Sequence, residues 1–80
     1  MNDRMELNIV AFAHARDAFG FSSCTVTCEP ADTPRAILLR LAPSVELQHL
    51  AIALDCEYAG LDQPVGGAHE LALIPPVSGG

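Results

Sequence analysis

The residues with the most direct chemical meaning are the last two, Gly79 and Gly80. Glycine has no side chain to obstruct it, so a Gly-Gly end can enter a channel too narrow for any other residue. The carboxylate of Gly80 is a poor electrophile as it stands. It becomes reactive when another enzyme converts it to an acyl-adenylate, which a sulfur nucleophile can then attack. The chemistry expected of this chain is therefore presentation of Gly80, with Gly79 as the steric requirement, and not catalysis of its own. Pro75 and Pro76 precede the pair and lock φ into an extended rod without internal hydrogen bonds. Val77 gives that rod one apolar foothold. The stretch from Pro75 to Gly80 reaches about 20 Å when extended, which suggests a folded domain over 1–74 and an extended tail over 75–80.

Other reactive side chains form no comparable pattern. His14, His49 and His69 share no ligand spacing with one another or with the cysteines, so they read as surface residues and no metal site is expected. No serine, histidine and acid combination suggests a nucleophilic triad. Cys24, Cys28 and Cys56 are an odd set in a chain that opens on a polar stretch without a secretion signal, which points to reduced thiols in the cytoplasm. On one extended strand Cys24 and Cys28 would stand about 13 Å apart, too far for a disulfide or one shared metal ion. They read as small buried hydrophobes.

Composition narrows the partners. The 80 residues carry a formal charge of −6, half of them are apolar and 18% are charged. That is a globular composition for one small domain, which buries only about 60% of the surface its unfolded chain exposes. The negative charge argues against nucleic acid and for a basic protein partner, with Glu57 and Asp62 as candidate contacts for an activating enzyme. No run approaches the roughly 20 apolar residues that span a bilayer, so no membrane association is expected. All four cations are arginines, so the chain offers no lysine to which further copies of itself could be joined.

The elements that must position the tail follow from periodicity. Residues 6–13 alternate as a strand, with Leu7, Ile9 and Ala11 on one face and Val10 and Phe12 on the other. Residues 17–23, with Gly20 between Phe19 and Phe21, read as a turn. A second strand over 24–29, rich in β-formers, would pair back as a hairpin. Thr33 followed by Pro34 is a helix start, and the helix runs to Leu41 with Ile37, Leu38 and Leu41 as its apolar stripe, ended by Pro43. Residues 44–49 suggest one further helical turn. Residues 50–54 form a strand, Asp55-Cys56 a tight turn, 57–59 a short return strand, 60–67 an irregular loop, and 70–74 the last strand.

Strands arranged around a single helix indicate an α+β domain: a mixed sheet of four to five strands with one main helix packed on one face. If the first and last strands are parallel neighbours, Phe12 lies beside Ile74 on the face away from the helix. Two apolar side chains there would make a docking patch.

The segment from Leu71 through Ala72, Leu73, Ile74, Pro75, Pro76, Val77, Ser78 and Gly79 to Gly80 resembles the end of the molybdopterin synthase small subunit. That protein is a MoaD-like member of the MoaD/ThiS ubiquitin-like sulfur carriers. The segments 53–58 and 9–16 support the likeness. The resemblance implies a β-grasp (ubiquitin-like) fold and a cycle. A partner enzyme uses ATP to adenylate Gly80, the adenylate becomes a thiocarboxylate, and the tail inserts into the large synthase subunit. There the sulfur passes to cyclic pyranopterin monophosphate, and two transfers build the dithiolene that holds molybdenum. It also implies that the carrier is the non-catalytic subunit of a heterotetramer, that it holds no permanent cofactor, and that Phe12 and Ile74, with Pro75, Pro76 and Val77, contact the large subunit. Sulfur carriage for thiazole synthesis or tRNA thiolation, attachment to lysines as a protein modifier, and a binding module that never uses its terminus are the alternative roles.

Overall fold

The computed structural model describes residues 4–47 and 50–74. Strand β1 is Met5–Ala11, and its alternation puts Leu7, Ile9 and Ala11 into the core while Glu6 and Asn8 face water. It pairs antiparallel with β2, Ser23–Cys28, from Met5 opposite Cys28 to Val10 opposite Ser23. The connection differs from the expected turn. His14–Phe19 form a short helix, α1, closed by Gly20 in the left-handed conformation at φ 83°. A positive φ costs glycine nothing, so it stops helices in this way. Ala15 is the buried residue of α1, and the rings of Phe19 and Phe21 meet at 6.1 Å across the cap.

Helix α2 spans Pro34–Leu41, and the Thr33 hydroxyl accepts from the amide of Ala36 at 3.2 Å, as the Thr-Pro start suggests. Its buried stripe is Pro34, Ile37 and Leu38; Leu41, expected on that stripe, is the helix's last residue and is 39% exposed. The further turn of helix expected over 44–49 is not formed in its described part. Ser44–Leu47 is irregular, with Val45 donating to Ala42 at 3.1 Å, and His49 lies outside the described residues. Leu47 drops into the core and Leu50 packs against it.

Strand β3, Ala51–Leu54, turns through Asp55-Cys56 into the three-residue β4, Glu57–Ala59. Both turn residues have positive φ, 48° and 71°. That pattern belongs to the tight hairpin turn whose twist matches the strands. The loop over 60–69 closes against the start of α2: Arg35 donates to the Leu61 carbonyl at 3.0 Å, Val65 to Asp32 and Gly66 to Pro30, each at 2.9 Å. Strand β5, Glu70–Ile74, then runs between β1, to which it is parallel, and β3, to which it is antiparallel. The sheet order is β2-β1-β5-β3-β4. Among the described residues Leu7, Ile9, Leu38, Ile52, Leu71 and Leu73, with Pro34 at the start of α2, are the larger side chains wholly removed from water. Each such burial contributes about 1.5–3 kcal/mol. This is the ubiquitin-like β-grasp arrangement, a mixed five-stranded sheet with a second, small helix added.

Candidate functional site

The site builds outward from β5, which is hydrogen-bonded on both sides. In the β1–β5 pair Ala11 faces Leu73, and the amide of Phe12 donates to the Leu73 carbonyl at 3.1 Å. The parallel ladder thus continues one residue past β1 and sets Phe12 opposite Ile74. Neighbouring strands lie about 4.8 Å apart, so the two side chains are adjacent. Parity sends both to the face away from α2, where Phe12 is 49% exposed and Ile74 half-buried.

This face has a floor that the sequence did not single out. Val10 pairs with Ala72, Ala72 with Ala53, and Ala53 with Tyr58, one row across four strands. Ile74 pairs with Ala51 in the next row, beside Phe12. Ala53 and Ala72 are buried yet stand apart from the core under α2. Their single methyl groups lie low between larger neighbours. Phe12 at one end and Tyr58, 80% exposed, at the other therefore stand up from a shallow apolar surface. The signal available in the sequence was Ala51 and Ala53 two apart on β3 and Ala72 between the leucines of β5.

The root of β5 is fixed by Asp55. Its Oδ1 accepts from the amides of His69 at 2.8 Å and Glu70 at 2.9 Å, and its own amide donates to the Glu70 carbonyl at 3.0 Å. These bonds, the His69 amide first and the Glu70 amide next, hold the Asp55 carboxyl below the usual carboxylate range. The His69 ring lies 3.7 Å from Oδ2 and is almost fully exposed. Sequence reading identified Asp55 only as a turn residue; its side chain also fixes where the last strand begins.

Of the expected site residues, Phe12 and Ile74 are brought together. Pro75, Pro76, Val77, Gly79 and Gly80 lie outside the described residues. Asp62, a candidate partner contact, is engaged by Arg35 through two bonds of 2.8 and 3.2 Å, which lower its pKa. Glu57 is exposed at the start of β4 and His14 on α1. Cys24 and Cys28 share the inward face of β2 as free thiols, and burial raises the pKa of each; Cys56 is exposed in its turn. Among the described residues no three His, Cys, Asp or Glu side chains gather as metal ligands, and no helix is long and apolar enough to cross a membrane.

A β-grasp domain whose central strand is followed in the sequence by Pro75-Pro76-Val77-Ser78-Gly79-Gly80 has the layout of a ubiquitin-like carrier, a class that works with partner enzymes. The chain belongs to the ThiS family, whose model matches residues 9–80. Its fold is similar to small archaeal modifier protein SAMP1 from Haloferax volcanii, at 24% identity over 95% of this chain and 100% of that one, with TM-score 0.72. SAMP1 from Methanosarcina acetivorans is similar at 20% identity over 96% and 98%, TM-score 0.70. A putative molybdopterin converting factor subunit 1 from Pyrococcus furiosus is similar at 14% identity over 91% and 99%, TM-score 0.71.

Proposed function

We propose that the chain is the sulfur-carrying small subunit of a molybdopterin synthase. In this reading residues 1–74 are the docking domain and 75–80 the reactive tail. The Gly80 carboxylate attacks the α-phosphate of ATP on a partner enzyme, releasing pyrophosphate. A sulfur nucleophile then displaces AMP and leaves a thiocarboxylate. The tail enters the large synthase subunit, with Phe12, Ile74, Pro75, Pro76 and Val77 against its surface, and the sulfur passes to cyclic pyranopterin monophosphate. The cycle operates in the cytoplasm, and the protein needs no bound metal or permanent cofactor for it.

The supporting observation is the register that sets Phe12 beside Ile74. It puts an exposed apolar patch at the root of the tail, on a strand secured from both sides. A partner that grips the patch therefore receives the tail at a fixed starting point. The Pro75-Pro76 pair in the sequence favours this pathway over thiazole synthesis and tRNA thiolation.

The test has two stages. Incubation with the adenylating enzyme, ATP and a sulfur donor should replace one terminal oxygen by sulfur, as read by intact mass spectrometry. The thiocarboxylated protein, mixed with the large subunit and cyclic pyranopterin monophosphate, should then yield dithiolene product. Charging without that product, together with sulfur delivery to a thiazole synthase or a tRNA-thiolating enzyme, would assign the carrier to the other pathway.

A further inference from the structure

The outer edge of β2 is unlike the outer edge of β4. Strand β4 has three residues and begins with Glu57, and short, charged edges resist pairing. Strand β2 has six, Ser23-Cys24-Thr25-Val26-Thr27-Cys28, with no charge, no proline and an unbroken register against β1. Its parity is fixed by the Ala11 amide, which donates to the Ser22 carbonyl at 2.9 Å. In an antiparallel ladder the bonding direction alternates, so the amides and carbonyls of Ser23, Thr25 and Thr27 point away from the sheet. Among the described residues no hydrogen bond uses them.

Alongside this edge, between β2 and α2, runs a groove of about 150 Å³ lined by Val26, Thr27, Ile37, Arg40 and Leu41. Leu41, left off the buried stripe, is its exposed wall. Arg40 is its one charged lining residue and gives Nη2 to Asp32 at 3.2 Å, with the other guanidinium donors outside any described bond.

We infer that the β2 edge with the adjoining groove is a second docking site, which takes an extended apolar segment of a partner protein as an added strand. The outward amides of Ser23, Thr25 and Thr27 bond the segment's backbone. Its alternate apolar side chains enter the groove over Val26, Ile37 and Leu41, and a carboxylate beside them meets Arg40. Arg40, the one charged residue of the groove, selects a segment that brings a carboxylate over the β2 strand of a second copy, which has none to offer. The edge is two strands away from β5, so occupancy leaves the Phe12–Ile74 face open.

The probe is the blocked peptide Asp-Thr-Ile-Thr-Val-Thr-Asp, followed by amide NMR and hydrogen exchange on the intact protein and on a form lacking residues 79–80. At saturation the amides of Ser23, Thr25 and Thr27 should exchange at least about tenfold more slowly, equally in both forms, so the outcome is independent of the tail's chemistry. Thr25→Pro should abolish this protection while the fold persists, because it removes only an outward-facing donor, and Thr25→Ala should retain it. Arg40→Gln should weaken the peptide about threefold to fivefold, but not a version with Asn in place of Asp. Absence of protection at millimolar peptide, binding that survives Thr25→Pro, or protection of the same amides by self-association without peptide would each overturn the inference.

Discussion

The amide of Phe12 bonds the carbonyl of Leu73 at 3.1 Å, and through that bond a residue from the first strand's end and a residue from the last strand's end share one surface. Phe12 and Ile74 are separated by most of the chain, yet the parallel β1–β5 ladder brings them side by side where the tail departs. The carrier reading asks two things of this corner, that it grip a partner and that it present the Gly80 carboxylate to that partner.

The grip is tested by charge. Phe12→Asp and Ile74→Asp should each weaken binding to the sulfur-accepting subunit by about 10–100-fold, the usual range for losing an apolar anchor. Isothermal calorimetry measures this. Phe12→Ala should leave the denaturation midpoint near that of the parent, because the ring is already half in water.

Substitution of the final glycine tests the tail. Gly80→Leu should cut sulfur transfer by about a hundredfold or more, since small misplacements at a reacting centre carry costs of that order, with unchanged amide spectra over 4–74. Quantifying thiocarboxylate and product in single-turnover assays distinguishes a block at charging from a block at transfer.

Acid stability depends on Asp55. Its folded pKa is depressed by the His69 and Glu70 amides, so the unfolded chain binds more protons in acid. The stabilisation is present above the unfolded value, about 3.9, and is lost as pH falls through the lower folded value. Asp32, lowered first by the Glu29 amide, and Asp62, lowered first by Arg35, act in the same direction. Both amide bonds end on Oδ1, which asparagine also offers. Asp55→Asn should therefore keep the fold and flatten the fall in melting temperature between pH 5 and 3, whereas Asp55→Ala should speed hydrogen exchange at Glu70 at every pH.

The Asp55-Cys56 turn holds an improvable residue. Cys56 sits at φ 71°, a left-handed conformation that costs a residue with a Cβ about 1 kcal/mol relative to glycine. Cys56→Gly should raise the unfolding free energy by about that amount, read as a higher urea midpoint at an unchanged m-value.

Neighbouring leucines on α2 should behave oppositely. Leu38 is wholly buried and Leu39 is 42% exposed. Leu38→Ala should cost about 2–5 kcal/mol, a large part of the stability of so small a domain, and Leu39→Ala less than about 1 kcal/mol. Urea titrations of the pair measure the difference.

Much of this was legible along the chain because it depends on local rules. The Thr33-Pro34 helix start, the tight turn at Asp55-Cys56, and the strand parities that bury Leu7, Ile9, Leu71 and Leu73 follow from capping, turn geometry and period two. Helix α1 was missed because a six-residue helix has too little length to show a period, although Gly20 marked its end. Leu41 was expected in the core, but as the last residue of α2 it stays 39% exposed and walls the groove beside β2 together with Ile37.

The sequence by itself determined the five strands and helix α2, the inward and outward faces of the strands, and the side-chain-free end at Gly79-Gly80, since these depend on residues adjacent or a few positions apart. Only the tertiary structure decided that β1 and β5 lie side by side. The same is true of the Asp55 carboxylate reaching the first amides of β5, of Ala53 and Ala72 flooring one apolar face, and of the open outer edge of β2. Strand order and long-range register come from the burial of both strands under one helix, a free energy shared by distant residues that no local pattern contains.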